Sequence, residues 1–169
     1  TSHELQKVDV IDTEKLKELI DVKALDEFKA RALNPNKPMI RGTAQNGDIY
    51  FQATEIRNEY YDKVPDIVNK YMNEINKITG KDYKPFNYYG SPTANKVIVA
   101  MGSVCETIKE TVEYLSKVKN ESVGLLEVHL YRPFSAKYFL KVLPKSVKKI
   151  AVLDRTKEPG SAGDPLYLD

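Results

Sequence analysis

"KVIVAMGSVCETIKETVEYLSKV" runs from Lys96 to Val118, and its two halves obey different rules. "KVIVAMG" (Lys96 to Gly102), in which Val97 to Met101 form an unbroken apolar run rich in β-branched residues, reads as a buried strand. Gly102 breaks it. Val104, Ile108, Val112 and Leu115 then recur at steps of four, four and three, which places them on one face of a helix. "VGLLEVHLY" (Val123 to Tyr131) reads as a second strand, "SAKYFLKVL" as a short helix, and "KKIAVLD" (Lys148 to Asp154) as a third strand. Strand, helix, strand, helix, strand predicts a parallel sheet with crossover helices. "FNYYG" (Phe86 to Gly90) is a candidate for one more strand ahead of it.

Outward towards the N-terminus, the chain to about Lys84 is polar and helical. Asp12 or Thr13 can cap a helix carrying Leu16, Leu19 and Ile20, because a side-chain oxygen can accept from the free N–H groups of a first turn. Leu25, Phe28 and Ala32 repeat the pattern before Asn34-Pro35 stops it. "NPNKPMIRGTAQNGDIYFQ" holds two Pro, two Gly and an Asn-Gly pair, and is predicted to be loop and turn. "ATEIRNEYYDKVPDIVNKYMNEINKITG" is the longest helical pattern. Pro65 either kinks it or opens a second helix, and Gly80 ends it. The expected organisation is therefore a helical segment over residues 1–84 packed on an α/β core over residues 85–169, together one domain.

The bulk numbers exclude several classes. A chain of 169 residues can bury roughly 70% of its unfolded surface, so a core needs no metal or disulfide. Lys and Arg total 26 against 24 Asp and Glu, and a net charge of +2 argues for neither nucleic acid nor a membrane surface as partner. No apolar run nears the roughly 20 residues that span a bilayer. Cys105 is the one cysteine, which excludes an internal disulfide or a multi-cysteine metal or iron–sulfur site, and fits the cytoplasm. No paired carboxylates, no Ser-His-Asp set and no metal cluster emerge. The opening "TSHELQKVDV" is not a targeting peptide, and with no Met at its start and "LYL" at its close the chain is expected to be an excised piece of a longer one.

Four stretches could carry chemistry. In "AMGSVCETI", Ser103 and Glu106 have the spacing of a capping box, and the same strand–Gly–helix junction could hold a phosphate. Cys105 sits in that helix's first turn, where the dipole could lower its pKa, but His3 and His129 are the only histidines available as its base. In "HLYRPF", Arg132 follows a strand at the carboxyl edge of the sheet. It could grip a carboxylate or phosphate with its forked donors, or form an internal ion pair fixing the turn. The closing "DRTKEPGSAGDPLYLD" places Asp154, Arg155, Lys157 and Glu158 at the same edge before Pro159-Gly160 and Ala162-Gly163. Its apolar Leu166-Tyr167-Leu168 is expected to lead away towards an absent neighbour, with weak ordering past Gly160. Finally, Arg41, Thr43, Gln45 and Asn46 lie on a glycine-flanked stretch that Tyr50 and Phe51 could anchor as an interface arm.

"ALNPNKPMIRGTAQNGDIYFQ", "FNYYGSP", "VIVAMGSVCETI" and "VHLYRPFSAKYFLKVLPKSVKKIAVLDRTKEPGSAGDPLYLD" together closely resemble the second domain of pyruvate:ferredoxin (flavodoxin) oxidoreductases. The opening "TSHELQK" is similar to the end of that family's first domain. The resemblance implies a three-layer α/β/α unit like the transketolase C-terminal domain, preceded by a helical segment. It implies a parent enzyme that oxidises pyruvate with coenzyme A to acetyl-CoA and CO2, passing electrons to ferredoxin or flavodoxin. Thiamine diphosphate, Mg and iron–sulfur clusters would be bound elsewhere in the parent, a cytosolic homodimer. The leading expectation is a non-catalytic structural module between domains, with no catalytic, cofactor or metal residues of its own. The alternatives are a module gripping an anion such as a coenzyme A phosphate through Ser103, Arg132 and Arg155, and a thiol enzyme centred on Cys105.

Overall fold

The computed structural model describes Leu5, residues 7–40, Gly42 and residues 44–169. Arg41, Thr43 and His3 lie outside the described residues. Eight helices and four strands follow one another along them. The chain begins with α1 (Thr13–Lys17), α2 (Val22–Ala30), α3 (Gly47–Glu55) and α4 (Asn58–Tyr61). Asp12 caps α1 by accepting from Glu14 N–H at 3.0 Å, and Asp21 caps α2 through Ala24 N–H at 2.9 Å. Helix α3 corrects the loop expected there. Asn46 stays extended in the capping position, Gly47 and Asp48 enter the first turn, and the Asn-Gly pair starts a helix instead of a turn. None of α1 to α4 buries a residue.

Helix α5 (Val64–Thr79) starts with Pro65 at its first turn, where the missing N–H costs nothing, and ends on Gly80 at φ +70°. Its inner face carries the buried Pro65 with half-buried Val68, Met72 and Ile75. Asn76 closes the following turn, its amide donating to Tyr83 O at 2.8 Å and its carbonyl accepting from Tyr83 N–H at 2.7 Å. That turn delivers the chain to β1 (Phe86–Gly90), followed by β2 (Lys96–Ala100), α6 (Val104–Lys119), β3 (Val123–Val128), α7 (Ala136–Val142), β4 (Lys149–Val152) and α8 (Pro165–Leu168).

The sheet has the order β1-β3-β2-β4. β3 pairs with β2 and β2 with β4 in parallel, while β1 joins antiparallel, with Phe86 opposite Val128 and Gly90 opposite Gly124. The fold is thus α/β with a four-stranded mixed sheet. Alternation along the strands divides the core. Phe86, Val97, Val99, Leu126 and Val128 form one cluster, which takes in Phe134 and Phe139 beside and on α7 and Leu166 on α8. Ala100, Leu125 and Val123 point the other way, onto Cys105, Ile108 and Val112 of α6. Phe86 is the anchor of the first cluster, edge-on to Phe134 and Phe139 with centroids 5.3 and 5.6 Å away. Burying such a ring contributes on the order of 2–3 kcal/mol. Strand β4 is the exposed edge, with only Val152 half-buried.

Candidate functional site

Because β2, β3 and β4 are mutually parallel, their carboxyl ends share one edge, and the chain places Gly102-Ser103, Arg132 and Asp154 there. What the edge holds is the chain's own C-terminus. Arg132 meets Asp169 with both arms of its fork, Nε to Oδ2 at 2.9 Å and a terminal nitrogen to Oδ1 at 3.3 Å. The guanidinium also lies over the Tyr131 ring, 4.8 Å from its centroid. The Arg132 charge holds the Asp169 carboxyl below the usual carboxylate range, and burial, with Asp169 close by, raises the Tyr131 hydroxyl. Arg132 is therefore an internal ion pair fixing the turn, in a segment where the Arg132–Pro133 peptide is cis. An anion from outside would have to displace Asp169.

Asp154 organises the closing loop. One oxygen accepts from Thr156 N–H and the other from Leu166 N–H, both at 2.9 Å. These N–H groups, Leu166 first, hold its carboxyl below the ordinary value. Asp164 repeats the device, accepting from Glu158 N–H at 3.0 Å and from Lys157 Nζ at 3.4 Å. Gly160 turns the loop at φ +82°. The outcome corrects the expectation that the tail leads away. Leu166 is 4% exposed and belongs to the core of this domain, because Asp154 captures its N–H and folds the tail back over the sheet edge. Tyr167 and Leu168 remain exposed. The Arg155 side chain is exposed, and nothing among the described residues bonds or pairs with it.

The capping box is not formed. Ser103 adopts a helical conformation and makes no cap hydrogen bond, because Gly102 at φ +80° turns the chain one residue earlier and Cys105 N–H bonds Gly102 O at 3.1 Å. Glu106 pairs instead with Lys109 at 2.7 Å. Lys109 also reaches Glu127 of β3 at 3.2 Å, tying the first turns of α6 to the sheet. Cys105 is fully buried beneath this pair, and burial, then Glu127, pushes its thiol up to about 11. The dipole of α6 does not offset that, so Cys105 is no thiolate nucleophile. His129 closes β3 with Nδ1 2.8 Å from Lys84 O, a structural contact. Among the described residues no three His, Cys, Asp or Glu side chains converge as metal ligands.

One cluster has no counterpart in the sequence reading. Asp66 on α5 accepts from Lys137 Nζ at 2.7 Å and Tyr138 OH at 2.6 Å, both on α7. These bonds lower the Asp66 pKa and fasten α5 to the sheet domain. The partners lie 71 and 72 positions apart, and no local pattern pairs them.

Comparison with known proteins gives this edge its context. Residues 94–169 match the family model described as pyruvate:ferredoxin oxidoreductase core domain II. Residues 1–73 match that of the pyruvate flavodoxin/ferredoxin oxidoreductase thiamine diphosphate-binding domain. The whole chain is 58% identical to a pyruvate-flavodoxin oxidoreductase of Enterobacter agglomerans and 59% identical to a pyruvate:ferredoxin oxidoreductase of Moorella thermoacetica. The chain belongs to the pyruvate:ferredoxin oxidoreductase family. It spans 14% of the length of those two relatives. It is also 50% identical, over its full length, to 9% of a pyruvate dehydrogenase (NADP+) of Cryptosporidium parvum. The segment thus recurs in relatives whose names carry flavodoxin, ferredoxin and NADP+. The two family models leave residues 74–93 between them, one ending in α5 and the other beginning just before β2.

Proposed function

We propose that this chain is a structural module between domains of a pyruvate:ferredoxin oxidoreductase, and that it performs no chemistry alone. The parent's activity would be thiamine-dependent oxidative decarboxylation of pyruvate to acetyl-CoA, with electrons passing to ferredoxin or flavodoxin. Thiamine diphosphate, Mg and iron–sulfur clusters would be bound by other parts of that cytosolic, homodimeric enzyme. The supporting observation is the carboxyl edge of the sheet. There Arg132 is neutralised by Asp169, and Asp154 and Asp164 are consumed in holding the closing loop. Of the groups expected to grip an anion, Arg132 is thus occupied by this chain's own carboxylate. Within this reading the sheet is the three-layer, transketolase C-terminal-like unit, with α6 on one face and α7 and α8 on the other. The helical segment of residues 1–84 serves as its connection to the thiamine-binding part. Arg155, Lys157, Glu158 and Gly160 are the loop positions offered to neighbouring domains, along with Arg41 and Ser103.

Titration calorimetry and a pyruvate-dependent reduction assay test this together. The isolated 169-residue chain is expected to bind no thiamine diphosphate and to reduce no viologen dye, while the complete enzyme does both. Turnover by the isolated chain would reject the module reading. Calorimetry with coenzyme A addresses the phosphate-grip alternative, which requires Arg132 to exchange Asp169 for the ligand. Binding tighter than about 10 μM that is lost in Arg155→Ala would favour it.

A further inference from the structure

The bonds from Lys137 Nζ and Tyr138 OH to Asp66 fasten α7 against α5. Beside that fastening the two helices wall a cavity of about 220 Å³. Asn69 and Asn73, one helical turn apart, line it from α5, Lys141 from α7, and Lys84 from the turn before β1. Buried Phe86 and half-buried Val142 give it an apolar floor. Among the described residues, no Asp or Glu lines it. Lys84 is engaged by Asp82 at 2.7 Å, and the Tyr138 hydroxyl by Asp66. The Lys141 ammonium and the carboxamides of Asn69 and Asn73 have no hydrogen-bond or ion-pair partner among the described residues. Asn76, one turn along the same helix, shows the contrast, since both ends of its carboxamide are bonded to Tyr83. Three unengaged polar groups thus converge over an apolar floor.

We infer that this cavity binds a small monocarboxylate with a short apolar body. Lys141 and the absence of a lining carboxylate reject a cation. A carboxylate head accepts from the ammonium and from the amide N–H groups, in bonds that the charge strengthens. The short body then lies on Phe86 and Val142 and leaves the water. Inorganic phosphate supplies the charge without the apolar part. A nucleotide or coenzyme is too large, because pockets for ligands of that size begin at roughly 300 Å³. The site draws only on α5, the turn into β1 and α7, and is independent of whether the chain serves as a module between domains.

The test titrates trifluoroacetate into the complete enzyme and follows its fluorine line width by NMR, with Lys141→Gln and Asn73→Asp as variants. A ligand of so few atoms is expected to bind with a Kd on the order of 1 mM. The wild-type enzyme should show a saturable component that propionate displaces and inorganic phosphate at the same concentration does not. Lys141→Gln should weaken that component about tenfold through loss of one charge-assisted bond. Asn73→Asp should remove it by adding a like charge to the wall. Both side chains are exposed and unpaired, so the circular dichroism of the variants should match wild type. Identical titrations in wild type and both variants would overturn the inference. Displacement by phosphate as readily as by propionate would also overturn it, by making the cavity a general anion trap. So would the lack of any saturable component, the result expected if another domain fills the cavity, and that result would leave the absence of catalysis by the isolated chain untouched.

Discussion

Phe28 on α2 and Val112 on α6 are both inner-face residues by sequence pattern, yet Phe28 is 66% exposed and Val112 is 3% exposed. The contrast extends to whole regions. From Leu5 to Tyr61 no described residue is buried, although Leu16, Val22, Leu25, Ile49 and Ile56 recur at helical spacing. From Val64 onwards the same kind of pattern closes over a sheet. Periodicity records which face of a helix wants cover, and the cover itself must come from elsewhere in the fold. α6 finds it because the crossover between the parallel β2 and β3 returns it to the sheet, onto Ala100, Val123 and Leu125. Among the described residues, α1 to α4 bury no side chain against such a partner.

The hardest blow to that contrast would be a sheet domain indifferent to its own core. Phe86→Ala removes a ring that is 1% exposed and packed edge-on to two others, at an expected cost of about 3–5 kcal/mol. Urea unfolding followed by far-ultraviolet circular dichroism measures it. A loss under about 1 kcal/mol would mean that the sheet is not the stabilising unit.

Gly90 tests the sheet's backbone. It sits at φ +122°, and an added Cβ would stand 2.6 Å from Val123 O and 2.8 Å from Gly124 Cα. Neither neighbour is a side chain that can swing aside. Gly90→Ala is therefore expected to cost about 2–3 kcal/mol in the same assay, through strain at the end of the β1–β3 pairing.

Much of the sheet domain was legible because its signals are local. The apolar runs at Val97–Ala100 and Val123–Val128 are too short for helices, and Gly102 and Pro133 punctuate them. The observed strands are shorter than the sequence reading, ending at Ala100, Val128 and Val152 where partners run out. The readings that failed depend on choices a sequence does not display. Gly102 took the turn that Ser103 was expected to cap, and Asn46-Gly47 opened a helix where a turn was equally good. Arg132 was open between an outside anion and an internal partner, and Asp169 decided it from 37 positions away. Asp154 folding Leu166 back into the core, like Asp66 with Lys137, is a tertiary event.

The Asp154 lock is worth less than the core and has a signature in pH. Asp154→Ala leaves Leu166 N–H and Thr156 N–H without their acceptor and is expected to cost about 1–2 kcal/mol. The folded carboxyl titrates below its unfolded value. Its stabilisation is thus fully present above the unfolded value of about 3.9 and is lost as pH falls through the lower folded value. The gap in unfolding midpoint between the wild-type chain and the variant should hold constant near neutrality and narrow in acid. A gap that widened in acid would put the carboxyl's interactions in the unfolded chain.

The smallest effect is the sharpest test of the comparison. Phe51 is 70% exposed on α3, and Phe28 is comparably exposed on α2. In the isolated chain Phe51→Ala and Phe28→Ala should each change unfolding free energy by no more than about 0.5 kcal/mol, as substitutions away from a packed site do. The same ring loss at Phe86 is expected to cost several times more, though all three residues are phenylalanine. A Phe51 effect approaching that of Phe86 would mean that the arm folds onto something within these 169 residues. Near-silence here, set beside a clear loss of stability in the complete enzyme, is the result that a surface built for a neighbouring domain requires.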